Sequence, residues 1–221
     1  MTQSGVQIGD NLLSLTDAKI RRNLEANRYI AYEGHEFDYN GTLTLHITER
    51  LGMGVVQALG NYYVLDASGV VLEGPLAIYP DSVSGPKISG FEIDKNTRIM
   101  VGCLLPVRDL AQLESMERVL LALEKASMLG RVSLVDVHSR SNLYAMTTEG
   151  AKIVLGDDKN LTTKLLIARE VLNIRTPMGK LKGAKIDVSS GKDAHYIPDV
   201  LPTVTPVLTP TPIPTPEPTP F

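Results

Sequence analysis

The chain has a single cysteine, Cys103, among its 221 residues. One thiol cannot close an internal disulfide or build a zinc cluster. Cys103 lies in the apolar run IMVGCLL, where a small buried hydrophobe is expected. Positive charge is also in short supply, with a net charge of −3 and a pI of about 5.8. Nucleic-acid binding needs a basic surface to neutralise phosphates, so no nucleic-acid partner is expected. No stretch reaches the ~20 apolar residues that cross a bilayer. The opening MTQSGVQIGDNLL carries neither the basic nor the apolar region of an export signal. On composition alone, the chain reads as soluble and unexported.

The usual marks of chemistry are missing too. No two of the four histidines, His35, His46, His138 and His195, have metal-ligand spacing on one element, so no metal is expected. There is no G-x-S-x-G elbow. The stretch AKIVLGDDKNLTTKLLIAREVLN runs from strand through glycine to helix, a junction where enzymes often hold a phosphate. Its loop has one glycine, and Asp157 and Asp158 would repel a phosphate. Asp157, Asp158 and Asn160 fall short of a calcium ligand set. The reading is a glycine corner at Gly156, then a helix capped by Asn160 with the stripe Leu161, Leu165, Ala168 and Leu172. No cofactor and no catalytic residue is expected.

What the chain does have is a sequence of alternating and helical patterns. Residues 1–74 read as a first unit. Ser14 or Thr16 can cap a helix through Ile20 and Leu24. Asn40-Gly41 predicts a type I′ hairpin turn, followed by a strand with Leu43, Leu45 and Ile47 on one side. A second hairpin turns at Asp66-Ala67-Ser68-Gly69. Residues 75–90 concentrate Pro, Gly and Ser and read as a linker.

A second unit spans 91–198. It opens with an amphipathic helix presenting Leu110, Leu113, Met116, Leu120 and Leu123 and stopping at Gly130. Three strands, RVSLVDVHS, NLYAMTT and AKIVLG, precede the helix at 161–173, and a hairpin turning at Ser190-Gly191 closes the unit. The class is α+β, rich in antiparallel pairing. From 199 onward, eight of the fourteen prolines alternate with threonine, which predicts an extended, solvated tail: a disordered terminus, a spacer or a glycosylated stalk.

Taken together, GDNLLSLTDAKIRRNLEANRYI, the hairpin ending LHITER, and YYVLDASGVVLEG resemble the POTRA domain of the FtsQ/DivIB cell-division family. PKISGFEI resembles the P-x-I-x-G entry to that family's β domain, KIVLGDDKNLTTKLLIAREVL its strand–LG–helix segment, and AKIDVSSGKDAHYIP its closing hairpin. The likeness runs in order from residue 5 to 198. It implies a non-catalytic divisome scaffold, anchored by one transmembrane helix in the bacterial cell membrane and facing the extracytoplasmic side at the septum. It also implies partners of the FtsB/DivIC and FtsL type. The family's short cytoplasmic segment, anchor and first POTRA strand have no counterpart in this chain, so the first unit is expected to lack one strand and to meet the membrane only through an anchor not present here.

The resemblance and the pattern point to one docking place. The closing strands carry the family's FtsB/DivIC contact, which matches Ala194, His195, Tyr196 and Ile197 here. Ile186, Asp187 and Val188 form the strand before, and Asp193 begins the return. A last strand ahead of a proline-rich tail is expected at a sheet edge, where unpaired amides and carbonyls can take up a strand from another chain. The competing expectation is that Tyr196 and Ile197 only complete the core and the tail covers the edge. Two other functions stand beside this reading: a POTRA-like module in secretion or assembly, and a hydrolase using Asp157 and Asp158.

Overall fold

Thr16 starts the first helix. Its hydroxyl oxygen accepts from the Lys19 amide at 3.4 Å, and α1 runs Asp17–Leu24. A computed structural model describes residues 4–7, 9, 16–81, 83–94, 96–179 and 181–199; Ser14 and the Pro/Thr segment beyond Asp199 lie outside them. α1 packs Ile20 and Leu24 onto Tyr32 of β1 (Ile30–Phe37), which pairs antiparallel with β2 (Leu43–Glu49). The Tyr32 hydroxyl donates to Asp17 at 2.6 Å and ties the helix to the hairpin. Burying Tyr32 and hydrogen-bonding its hydroxyl to a carboxylate pushes its pKa up to about 12. Leu43 and Leu45 pack on the helix side, but Ile47 is 53% exposed.

Two turns depart from the expected geometry. At Asn40-Gly41 only Gly41 has positive φ, +82°. The Asp38 amide bonds to Thr42 and Gly41 to Asp38, giving a three-residue loop instead of a type I′ turn. Two consecutive positive-φ residues do occur at Leu59 and Gly60, +51° and +83°, joining β3 (Gly54–Ala58) to β4 (Asn61–Leu65). A leucine pays a steric cost in that region which Asn avoids. Leu59→Asn is therefore expected to raise the unfolding free energy by about 0.5–1 kcal/mol, read as an upward shift in the denaturant midpoint.

β3, β4 and β5 (Val71–Leu76) are hydrogen-bonded into one nine-stranded sheet with the later strands. Those strands are β6 (Lys87–Ser89), β7 (Val132–Asp136), β8 (Leu143–Thr147), β9 (Lys152–Gly156), β10 (Lys185–Asp187) and β11 (His195–Ile197). The order is β11-β10-β9-β8-β7-β6-β3-β4-β5. Five of its eight junctions are antiparallel, and β9–β10, β6–β7 and β3–β6 are parallel. The stretch 75–90, expected as a linker, thus holds the strand that joins the two halves of the sheet.

One register row explains the core. Tyr196, Ile186, Ile153, Ala145, Val135, Ile88, Val56 and Tyr63 are successive cross-strand partners. All share one face, because side chains alternate along each strand. That face packs under α2 (Leu110–Lys125) and α3 (Leu161–Arg175) in a single apolar cluster. Each large aliphatic side chain taken fully from water stabilises by about 1.5–3 kcal/mol. In α2, Leu113, Met116, Leu120 and Leu123 are buried, whereas Leu110, beside the Asp109 cap, is 63% exposed. The helix stops before Gly130: Ser127 takes φ +54°, and the Met128 amide bonds back to the Leu123 carbonyl, closing a C-terminal cap.

The two parts of the chain meet through polar contacts. Arg50 donates to Asp66 at 2.6 Å, and Asp66 also accepts from Ser68 and the Val70 amide within its own turn. The Tyr29 hydroxyl donates to Glu73.

Candidate interaction edge

The two ends of the nine-stranded sheet are finished differently. At β5, the segment around Cys103 lies against the start of the strand, at Val71. Val71 N–H donates to the Cys103 carbonyl at 2.9 Å, Gly102 N–H to Val71 at 2.7 Å, and Leu105 N–H to Gly69 at 2.9 Å. This explains why Cys103 is exposed and not buried: its run is a turn laid over an edge, with φ of +83° at Gly102, and not a core strand. At the other end β11 pairs with β10, in the register Lys185–Ile197, Ile186–Tyr196 and Asp187–His195. Among the described residues no strand pairs with its outer side. A strand at the end of a sheet can take up a strand from another chain.

Local chemistry shapes this hairpin. Ile186 and Val188 are fully buried and lock β10 into the core. Asp187 turns the other way, accepting from the Ser189 amide at 3.2 Å and hydroxyl at 2.7 Å and pairing with Lys185 at 3.2 Å. The Ser189 hydrogen bonds, with help from Lys185, hold its carboxyl below the ordinary range. The tight turn closes through Gly191 N–H to the Val188 carbonyl, while the Ser190 hydroxyl donates to Asp193 at 2.7 Å. Asp193 and Ala194 precede the strand proper, which begins at His195. Ala194 and Tyr196 pack against the core; His195 and Ile197 point to the opposite, exposed side.

Arg175, on the last turn of α3, sits over the Tyr196 ring at 4.5 Å. Nothing in the sequence pairs these two residues, twenty-one positions apart; a basic residue in a helix's last turn was the sole hint. The same end of α3 carries exposed Ile174 and, just beyond it, Met178.

The strand–glycine–helix corner proves to be a joint in the scaffold. Gly156 has φ +70°, and a Cβ there would lie 2.8 Å from that of Ser189. Asn160 adopts a left-handed conformation, and its side chain makes no cap bond, so it starts α3 through its backbone alone. Asp157 pairs with buried Lys164 at 2.6 Å, and the Lys164 hydrogen bond lowers its pKa. Asp158 is almost fully buried and accepts from Arg118 of α2 and Arg140 of the β7–β8 loop, each at 2.8 Å. Removing both charges leaves Lys164 and Arg118 without their ion-pair partner, while Arg140 keeps Glu114 at 3.8 Å. Asp157→Asn with Asp158→Asn is expected to lower the denaturant midpoint, chiefly through the loss of buried Asp158.

The family model described as "Cell division protein FtsQ/DivIB, C-terminal" matches residues 54–189, more than half of the chain. The chain belongs to the FtsQ/DivIB family. Among curated proteins it is similar to the "Cell division protein DivIB" of Clostridium tetani (strain Massachusetts / E88), 21% identical over 180 residues that cover 81% of this chain and 66% of that protein. The chain thus matches just under two thirds of that relative's length. The FtsQ/DivIB match begins at Gly54, the first residue of β3, and so covers most of the nine-stranded sheet. Membership gives the chain a role in cell division, in a family of non-enzymatic, membrane-associated division proteins. No helix among its described residues is long and apolar enough to cross a membrane.

Proposed function

We propose that this FtsQ/DivIB chain is the extracytoplasmic part of a single-pass membrane protein and acts as a non-catalytic scaffold at the division septum. In this reading the edge strand β11 receives a strand from a partner of the FtsB/DivIC type, with FtsL-type proteins in the same assembly. The observation that carries it is the position of β11 at the end of the sheet: among the described residues no strand pairs with its outer side, whereas at the opposite end the Cys103 segment bonds to Val71 at the start of β5. Main-chain pairing along such an edge gives affinity, and pockets for alternate side chains give specificity. Asp157 and Asp158 are consumed by ion pairs that hold α2, α3 and the β7–β8 loop together, which favours the scaffold over a hydrolase. The first unit, POTRA-like, would end near Arg50, since β3 onward belongs to the sheet.

The test is co-purification from cells of a membrane-tethered form, with and without residues 185–197. A DivIC-type partner should be recovered with the first and lost with the second. Recovery of secretion or assembly components instead, unaffected by the deletion, would favour the POTRA-like module of another envelope process.

A further inference from the structure

We infer a second docking surface, in the cleft between the β1–β2 hairpin and α2, that takes a basic segment with an apolar anchor residue from another protein. The cleft measures about 340 Å³. Its floor is apolar, built from Met53, Ala67, Leu121 and Leu51, and Leu51 is 56% exposed. Its rim is acidic: Glu33 and Glu49 from the hairpin, Glu117 and Glu124 from α2. Glu117, Leu121 and Glu124 recur at helical spacing, so the helix presents one apolar residue between two carboxylates.

The rim charge is uncompensated. Arg50, the cation lining the cleft, is taken up by Asp66 at 2.6 Å. Among the described residues, none of the ion pairs includes Glu33, Glu49, Glu117 or Glu124. Carboxylates of one sign facing across a groove focus its potential, and a cationic partner relieves their repulsion. Nor does the charge converge on a point: among the described residues no group of three or more acidic, histidine or cysteine side chains is placed to hold a metal ion. Separated carboxylates around an apolar floor suit separated Lys or Arg side chains around a Leu-like anchor. The cleft lies at the β3–β5 end of the sheet, far in strand order from β11, so both surfaces can be occupied at once.

The experiment measures fluorescence anisotropy of a short amphipathic Leu/Lys peptide with the whole chain at near-physiological salt, using the same peptide with Glu for Lys as reference. The wild-type chain should bind the Leu/Lys peptide and not the Leu/Glu one. Glu117→Lys with Glu124→Lys should weaken binding about tenfold or more, and Leu51→Asp should weaken it comparably. Glu92→Lys with Glu170→Lys, the same charge change at exposed sites elsewhere, should leave it within about twofold. All three variants alter exposed positions, and circular dichroism checks that they fold. Equal losses in the two double variants would mean unspecific attraction to an acidic protein and overturn the proposal. An unaffected Leu51→Asp, or no binding by the wild-type chain, would overturn it as well.

Discussion

Gly90→Ala should be strongly destabilising. Gly90 closes the P-x-I-x-G segment, directly after β6. It holds φ at +97°, and a Cβ there would meet the backbone of His138, with the His138 Cα at 2.7 Å. Backbone cannot swing aside as a side-chain tip can. His138 is fixed by Val137 N–H donating to the Ser89 carbonyl at 2.9 Å, and buried Gln112 donates to the Gly90 carbonyl at 2.8 Å. The residue therefore sits where β6, the end of β7 and the start of α2 converge. Strain in φ and a backbone collision together should cost on the order of 3–5 kcal/mol. For a domain of this size that corresponds to a fall of about 10 °C or more in melting temperature. Gly130→Ala is the matched control, since nothing lies within 4 Å of a Cβ there and its φ is not positive. Melting of the two variants within about two degrees of each other would show that the β6–β7 crossing yields more easily than its geometry implies.

That glycine shows where the sequence speaks and where it is silent. The P-x-I-x-G pattern was visible; the reason for its glycine, a backbone packed against it from forty-eight residues away, was not. Long repeats are legible: the stripe of α3, that of α2 apart from exposed Leu110, and the Asp66–Gly69 turn follow local rules, while the alternation of β2 fails at exposed Ile47. Short elements are not. Three residues of β6 carry no period, so the strand that unites the sheet read as a linker. Parallel neighbours such as β6 and β7 leave no local trace, because forty or more residues separate them. Turns misled in a telling way. Asn-Gly, the favoured pair, formed a longer loop, and Leu-Gly took the two-residue turn, because the register of β3 on β4 demanded it. Cys103 is exposed although its run is apolar, because that run turns against the start of β5.

At the other edge, His195→Pro and Tyr196→Pro are expected to behave differently from each other. Along an antiparallel edge strand, successive N–H groups alternate between the neighbouring strand and the open side. One proline will remove a bond to β10 and lower the melting temperature. The other will remove only an outward donor, leaving the fold intact while abolishing binding of a DivIC-type partner strand. Side chains sort in the same way. Tyr196 is half-buried, packed on the core beside Ile186 and covered by Arg175, so Tyr196→Glu should unfold the hairpin and is a poor probe of binding. Ile197 is 51% exposed on the opposite side. Ile197→Asp should keep the melting curve of the parent while weakening the partner by about tenfold, the effect of placing an unpaired charge in a strand interface. Affinity measured by calorimetry, with circular dichroism on each variant, separates the effects. If the folded proline variant and Ile197→Asp both bind the partner as tightly as the parent, β11 is not where the partner adds its strand.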